Sequence, residues 1–151
     1  MNFIKKHLKN ERGLTLIELL AVVVILGIIA AIAIPSIGSL INNSKKDAHI
    51  ANGQQMVSAA RTAVAAGEDA STGEFTLAEL EKIGYLENVK NPSGEGYSKT
   101  GSIVSITKGT GENKNKFTYT VTLMDNGKGE AAKKYIDDKD PSTLKRDDIS
   151  L

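Results

Sequence analysis

From Leu19 to Ile41 the chain carries no charged side chain, and this run is entered through Gly13-Leu14-Thr15-Leu16-Ile17-Glu18, where Glu18 supplies the only charge. About 18 to 20 consecutive apolar residues suffice for a helix to cross the hydrocarbon of a bilayer. A segment of this kind divides a chain into parts that meet different solvents. The stretch before Gly13 is short and basic, and the stretch after Lys45 is polar, glycine-containing and mixed in charge. We read five parts: a basic leader over 1–13, an apolar helix over 14–41, its amphipathic continuation over 42–66, a small globular head over 67–124 and a polar C-terminal tail over 125–151.

The 151 residues leave room for about one domain, and the apolar segment makes the soluble core a small one. A net charge of +1 conceals a leader at +3, where Lys5, Lys6, Lys9 and Arg12 outweigh Glu11, and a remainder at −2. The soluble part thus has no basic excess to attract nucleic acid. The sequence contains no cysteine, which removes disulfides, thiol nucleophiles and Cys-based zinc sites, and its only histidines are His7 and His49. No cofactor is expected. No Ser/His/Asp set, paired-carboxylate pattern or phosphate loop is legible, so the chain does not read as an enzyme.

Residues 2–12 have the positive character of a signal n-region, and an ordinary secretory signal would be cut beyond its apolar run, where Ala30-Ala31-Ile32-Ala33 offers small residues. The sharper break lies before that run, at Arg12-Gly13-Leu14. Here the sequence resembles the type IV pilin family, in which Gly is followed by a hydrophobic residue, Thr-Leu-Ile-Glu and a long apolar helix; the match reads Gly13-Leu14-Thr15-Leu16-Ile17-Glu18-Leu19-Leu20. Glu18 stands fifth from Leu14, as the family pattern requires, and Pro35 lies where such helices commonly carry proline. Leu14 departs mildly from the family's usual Phe. The resemblance implies that a prepilin peptidase/methyltransferase cuts after Gly13 on the cytoplasmic side and N-methylates Leu14.

A carboxylate in the apolar part of a bilayer is costly, by about 2.5 to 3.5 kcal/mol for Asp at a helix centre. Glu18 therefore needs a partner, and the ammonium that cleavage creates on Leu14 is the physical candidate. The resemblance implies that this pairing is with the amine of a neighbouring subunit during assembly. The simpler reading is a Glu near a helix N-terminus, stabilised by the macrodipole by about 0.3 to 1 kcal/mol. Pro35 has no N–H for the carbonyl of Ala31, so a helix passing through it is expected to bend or loosen. Gly27 adds backbone freedom, and the resemblance makes the Gly27 to Pro35 segment a flexible one.

Beyond Ser36, apolar residues at Ile37, Leu40, Ile41, Ala48, Met56, Ala59, Ala60, Ala63 and Val64 continue the helix with one face to pack, and Gly67 offers a C-cap. Gly53 weakens it by about 1 kcal/mol. Phe75-Thr76-Leu77-Ala78-Glu79-Leu80 has the form of a capping box with a hydrophobic staple, opening a short helix that stops at Gly84. Segments 101–107 and 116–124 read as strands. Phe117, Tyr119 and Val121 of the second are expected to lie against the helix. A pair alone would be marginal, so a third strand is drawn from Tyr97 or from the tail. A short helix is allowed around Ala131 to Ile136. Asp125, Asn126 and Glu130, or Asp137, Asp138 and Asp140, lack the spacing of a calcium loop and read as solvated surface.

The expected fold class is α+β, a long N-terminal helix, transmembrane in its lower half, packed against a small antiparallel β-sheet head. The function implied by the resemblance is that of a filament subunit, with copies of itself, an inner-membrane assembly platform and an ATPase as partners. Pilus subunit and pseudopilin of a type II secretion or DNA-uptake system both fit that pattern. A signal-anchored extracytoplasmic binding module is the alternative from another class. The Lys-rich leader places the N-terminus in the cytoplasm by the positive-inside rule, with the remainder outside the membrane and then on a cell-surface filament.

Overall fold

The computed structural model of the chain describes residues 4–70, 72–113, 116–127 and 132–151, with side chains described from Thr15 onward. The chain divides into two units, Met1–Ile41 and Asn42–Leu151. One helix, α1, is assigned over Ile4–Ala65 and includes Pro35. It begins inside the leader rather than at Leu14. Nothing between Ile4 and Gly13 forbids this, since no proline intervenes and a single glycine costs a helix only about 1 kcal/mol.

At its far end α1 closes with a Schellman motif. Gly67 takes φ +86°, its N–H donates to Val64 O at 3.1 Å, and the Glu68 N–H reaches Ala63 O at 3.1 Å. Two carbonyls that would otherwise lack helical partners are satisfied, and the left-handed position falls to the residue that tolerates it.

The second unit holds a four-stranded antiparallel sheet in the order β1-β2-β3-β4, formed by Glu74–Thr76, Ile103–Lys108, Phe117–Met124 and Lys134–Lys139. A short helix, α2, runs over Leu77–Lys82. Thr76 is its N-cap: its hydroxyl accepts from the Glu79 N–H at 3.2 Å, and the Glu79 carboxylate accepts from the Thr76 N–H at 2.8 Å. Phe75 and Leu80, the two ends of the expected staple, are both buried. Phe75 also belongs to β1, paired with Val104, a strand too short to show in the sequence.

The core joins Met56, Ala60 and Ala63 of α1 to Val104, Val121, Leu123 and Ile136 of the sheet, with Leu77 and Leu80 of α2. Burying a side chain such as Leu or Met contributes about 1.5 to 3 kcal/mol. Along β3, Tyr119, Val121 and Leu123 are buried as alternation requires, but Phe117 is 41% exposed. Phe117 pairs with Lys108 at the end of both strands, beyond the reach of the core, so its expected packing against the helix is not found.

The segment read as a short helix around Ala131 to Ile136 is instead a strand from Lys134 onward, while Glu130 and Ala131 lie outside the described residues. Its pattern hides it, because Tyr135 and Ile136 are adjacent and both buried, whereas a regular strand sends neighbours to opposite faces. Two register shifts against β3 resolve the conflict. Between the paired residues Ile136 and Lys139, Asp138 takes φ +48°, a conformation that Asp tolerates better than most residues, and its N–H donates to Thr122 Oγ1 at 3.1 Å. The strand that completes the sheet thus comes from the tail, and Tyr97 contributes only an isolated bridge to Asp125.

Candidate functional site

Within the first unit the large apolar side chains have nowhere to go. Sixteen of them between Leu16 and Ile41 are 49 to 69% exposed. They do not form a stripe: Val22, Val23, Val24, Ile25 and Leu26 are consecutive and all at least half exposed, and five successive residues at 100° intervals surround a helix. A helix that is apolar all round belongs in lipid or among other apolar helices. The helix is long and apolar enough to cross a membrane, with none of its most hydrophobic window buried.

Glu18 lies exposed on this helix as the only charged residue from Thr15 to Ser44. Gly13 and Leu14 fall within α1, but their side chains lie outside the described residues. A Cβ at Gly27 would meet nothing within 4 Å, so no packing within the chain demands glycine there. At Pro35 the missing N–H leaves the Ala31 carbonyl without its usual donor. Next to it the Ser36 hydroxyl donates to Ile32 O at 3.1 Å, and the Ser39 hydroxyl to Ser36 O at 2.9 Å. Hydroxyl bonds of this kind back onto a preceding turn are associated with helix bending. Ser36 and Ser39 thus follow Pro35 with hydroxyl bonds to the helix backbone, within a helix that continues through the proline.

A second cluster, in the head, was not anticipated. His49 is fully buried on α1. Its Nδ1 lies 2.7 Å from Tyr97 Oη and its Nε2 lies 2.9 Å from Ser93 Oγ. The ring stacks on Tyr135 at 4.1 Å between centroids and meets Tyr97 edge-on at 5.7 Å. Asn52 Nδ2 donates to Tyr97 Oη at 2.9 Å and to Lys90 O at 3.0 Å. Burial, reinforced by the Lys45 ammonium, pushes the His49 pKa down to about 4; burial pushes the Tyr97 phenol up to about 12. Both side chains are therefore neutral at pH 7. The spacing of His49 and Asn52 on one helix face was readable in principle, but their partners come from a loop some forty residues away.

Beside this cluster Asn88, Lys90, Asn91, Glu95, Lys99 and Asn126 border a polar cleft of about 440 Å³. Lys99 is engaged by Glu81 at 2.5 Å, and no buried side-chain polar atom among the described residues lacks a partner. Of the acids in the tail, Asp137 pairs with Lys134 at 2.7 Å and Asp140 accepts from Ser142 at 2.6 Å. Among the described residues no group of three His, Cys, Asp or Glu is placed to hold a metal ion.

Residues 8–34 match the family model described as the prokaryotic N-terminal methylation motif, and so carry the signature of the type IV pilin class. The match spans Gly13, Leu14, Glu18 and Gly27 and ends one residue before Pro35. Searches of the curated proteins and of the solved structures return no match. The motif marks a structural class, and with the long apolar helix it is consistent with membrane anchoring.

Proposed function

We propose that the chain is a pilin-type precursor whose apolar helix holds it in the membrane and then forms the core of a filament built from copies of itself. One observation carries this reading: an N-terminal methylation motif over 8–34 coincides with a helix whose apolar side chains, from Leu16 to Ile41, are exposed on every side. The first half of that pairing supports processing, and the second supports a lifetime spent in lipid or among like helices.

On this reading a prepilin peptidase/methyltransferase removes 1–13, cutting after Gly13 and methylating the amine of Leu14. The segment 14–41 is the part shared between membrane and filament. Its small residues Ala21, Gly27, Ala30, Ala31 and Ala33 allow helices to approach closely. Glu18 is the assembly contact, pairing with the Leu14 amine of a neighbour in surroundings where an unpaired charge is costly. Gly27 and Pro35 let the helix change local order between lipid and filament. The N-terminus lies in the cytoplasm and the head beyond the membrane, with an inner-membrane platform and its ATPase driving polymerisation.

Intact-mass and N-terminal analysis of the protein from cells with and without the processing peptidase tests the reading. The expected product starts at a methylated Leu14 only where the peptidase is present. A chain that still starts at Met1 in both, or one cut near Ala33, would overturn it.

A further inference from the structure

The His49 cluster has a feature that the filament reading does not use. One neutral tautomer of His49 satisfies every hydrogen bond in it. Asn52 Nδ2 donates to Tyr97 Oη, so the phenol's own proton is available to His49 Nδ1, 2.7 Å away. Nδ1 then accepts, Nε2 keeps its hydrogen, and that hydrogen points at Ser93 Oγ, 2.9 Å away. This is the neutral imidazole in one tautomer, with both nitrogens occupied.

A second proton has no place in this arrangement. It would sit on Nδ1, turn an acceptor into a donor, and leave the Tyr97 proton without its acceptor. The groups facing the ring are Tyr97 and Ser93 from the loop, Tyr135 from β4 and, one turn back on α1, Lys45. The last is cationic and the others neutral. Asp47, the acid nearest in sequence, is engaged by Arg146 through two bonds of 2.6 Å. None of these four groups supplies a negative charge to offset one on the imidazole.

The ties that hold this loop to α1 meet at the same point: His49 to Ser93 and Tyr97, and Asn52 to Tyr97 and Lys90. The loop's other anchors lead elsewhere: Val89 is buried in the core, Asn91 Nδ2 donates to Tyr135 Oη at 3.3 Å, the Asn126 N–H donates to Gly96 O at 3.3 Å, Tyr97 bridges Asp125, and the Ser98 N–H donates to Met124 O at 2.8 Å. Losing the first set therefore frees residues 90–96 from the helix, while Val89 stays in the core and the far end stays on the sheet.

We propose that His49 is an acid-operated latch, whose protonation releases the loop over 90–96 from α1 and opens the adjoining polar cleft while the sheet and its helix contacts persist. Linkage sets the sign. With the folded pKa lowered to about 4 from an ordinary 6.5, the latched form has its full stability above pH 6.5 and loses it as pH falls toward 4. At neutral pH the latch is shut.

Amide hydrogen exchange of the full-length protein in detergent micelles, corrected for intrinsic rates and followed from pH 7 to 4, tests this alongside the ¹⁵N shifts of the His49 ring. The expected result is a loss of protection of about tenfold or more in 90–96, read at Ser93, whose N–H donates to Asn91 Oδ1. It tracks ring protonation, leaves β2 and β3 protected, and is absent in His49→Gln. Protonation of the ring without loss of loop protection, a collapse of protection across the whole head, or the same loss in His49→Gln would overturn the proposal. Should His49→Gln not fold, the wild-type comparison of ring shifts with loop protection decides alone.

Discussion

Gly53 of α1 lies so close to Ile136 of β4 that a methyl group on its Cα would stand 3.1 Å from Ile136 Cδ1 and 3.4 Å from Val121 Cγ1. The glycine that looked like a small defect in the helix is a point of close approach between helix and sheet. In Gly53→Ala, a helix-propensity gain of about 1 kcal/mol opposes a contact that the tip of Ile136 must relieve, so stability should change by less than about 1 kcal/mol. Gly53→Leu overfills the same space and should cost about 1 to 3 kcal/mol. Urea unfolding of the two variants in one detergent checks the contrast; equal effects would deny the close approach.

Tyr97→Phe removes the atom that His49 Nδ1 and Asn52 Nδ2 share. A buried imidazole and a half-buried amide lose a partner at almost no change in volume. The variant should lose about 1 to 3 kcal/mol of unfolding free energy. A stability equal to wild type would mean that water or a rearranged side chain satisfies both groups.

Thr76→Ala deletes the hydroxyl that caps α2. The loss should be about 1 kcal/mol, while Thr76→Ser keeps the oxygen and should stay within a few tenths of that of wild type. Thermal melts of the three proteins give the comparison directly. An Ala variant as stable as the Ser variant would show that the box is incidental to stability.

Glu18→Ala should leave the protein in the membrane fraction, since it removes a charge from an apolar helix. Filament incorporation is the step expected to fail. Leaving a terminal ammonium unpaired in apolar surroundings costs about 3 to 5 kcal/mol, enough to reduce incorporation a hundredfold or more by mass action. Quantifying subunits in sheared filaments against membrane pools checks this, and normal incorporation would remove the pairing argument.

Much of the molecule is legible in the sequence because its signals are local. The uncharged run from Leu19 to Ile41, the Thr76 and Glu79 box and the alternation of Tyr119, Val121 and Leu123 each depend on residues only a few positions apart. Periodicity and capping are properties of short windows, so the sequence can display them. The processing motif is likewise contiguous, which is why Gly13, Leu14 and Glu18 stood out together.

What only the tertiary structure decided involves partners distant in sequence or breaks in pattern. The strand over Lys134–Lys139 was hidden because register shifts allow adjacent Tyr135 and Ile136 both to be buried, and Phe117 stayed exposed because β3 outruns the core. His49 became a latch candidate only when Tyr97, Ser93 and Tyr135 converged on it from other elements. By itself the sequence determined the apolar helix, its entry motif and the α+β class, because those follow from side-chain chemistry along a single segment. The buried polar cluster and the intimate contact at Gly53 needed the fold, since a hydrogen bond or a packed methyl exists only once two distant stretches of backbone occupy the same place.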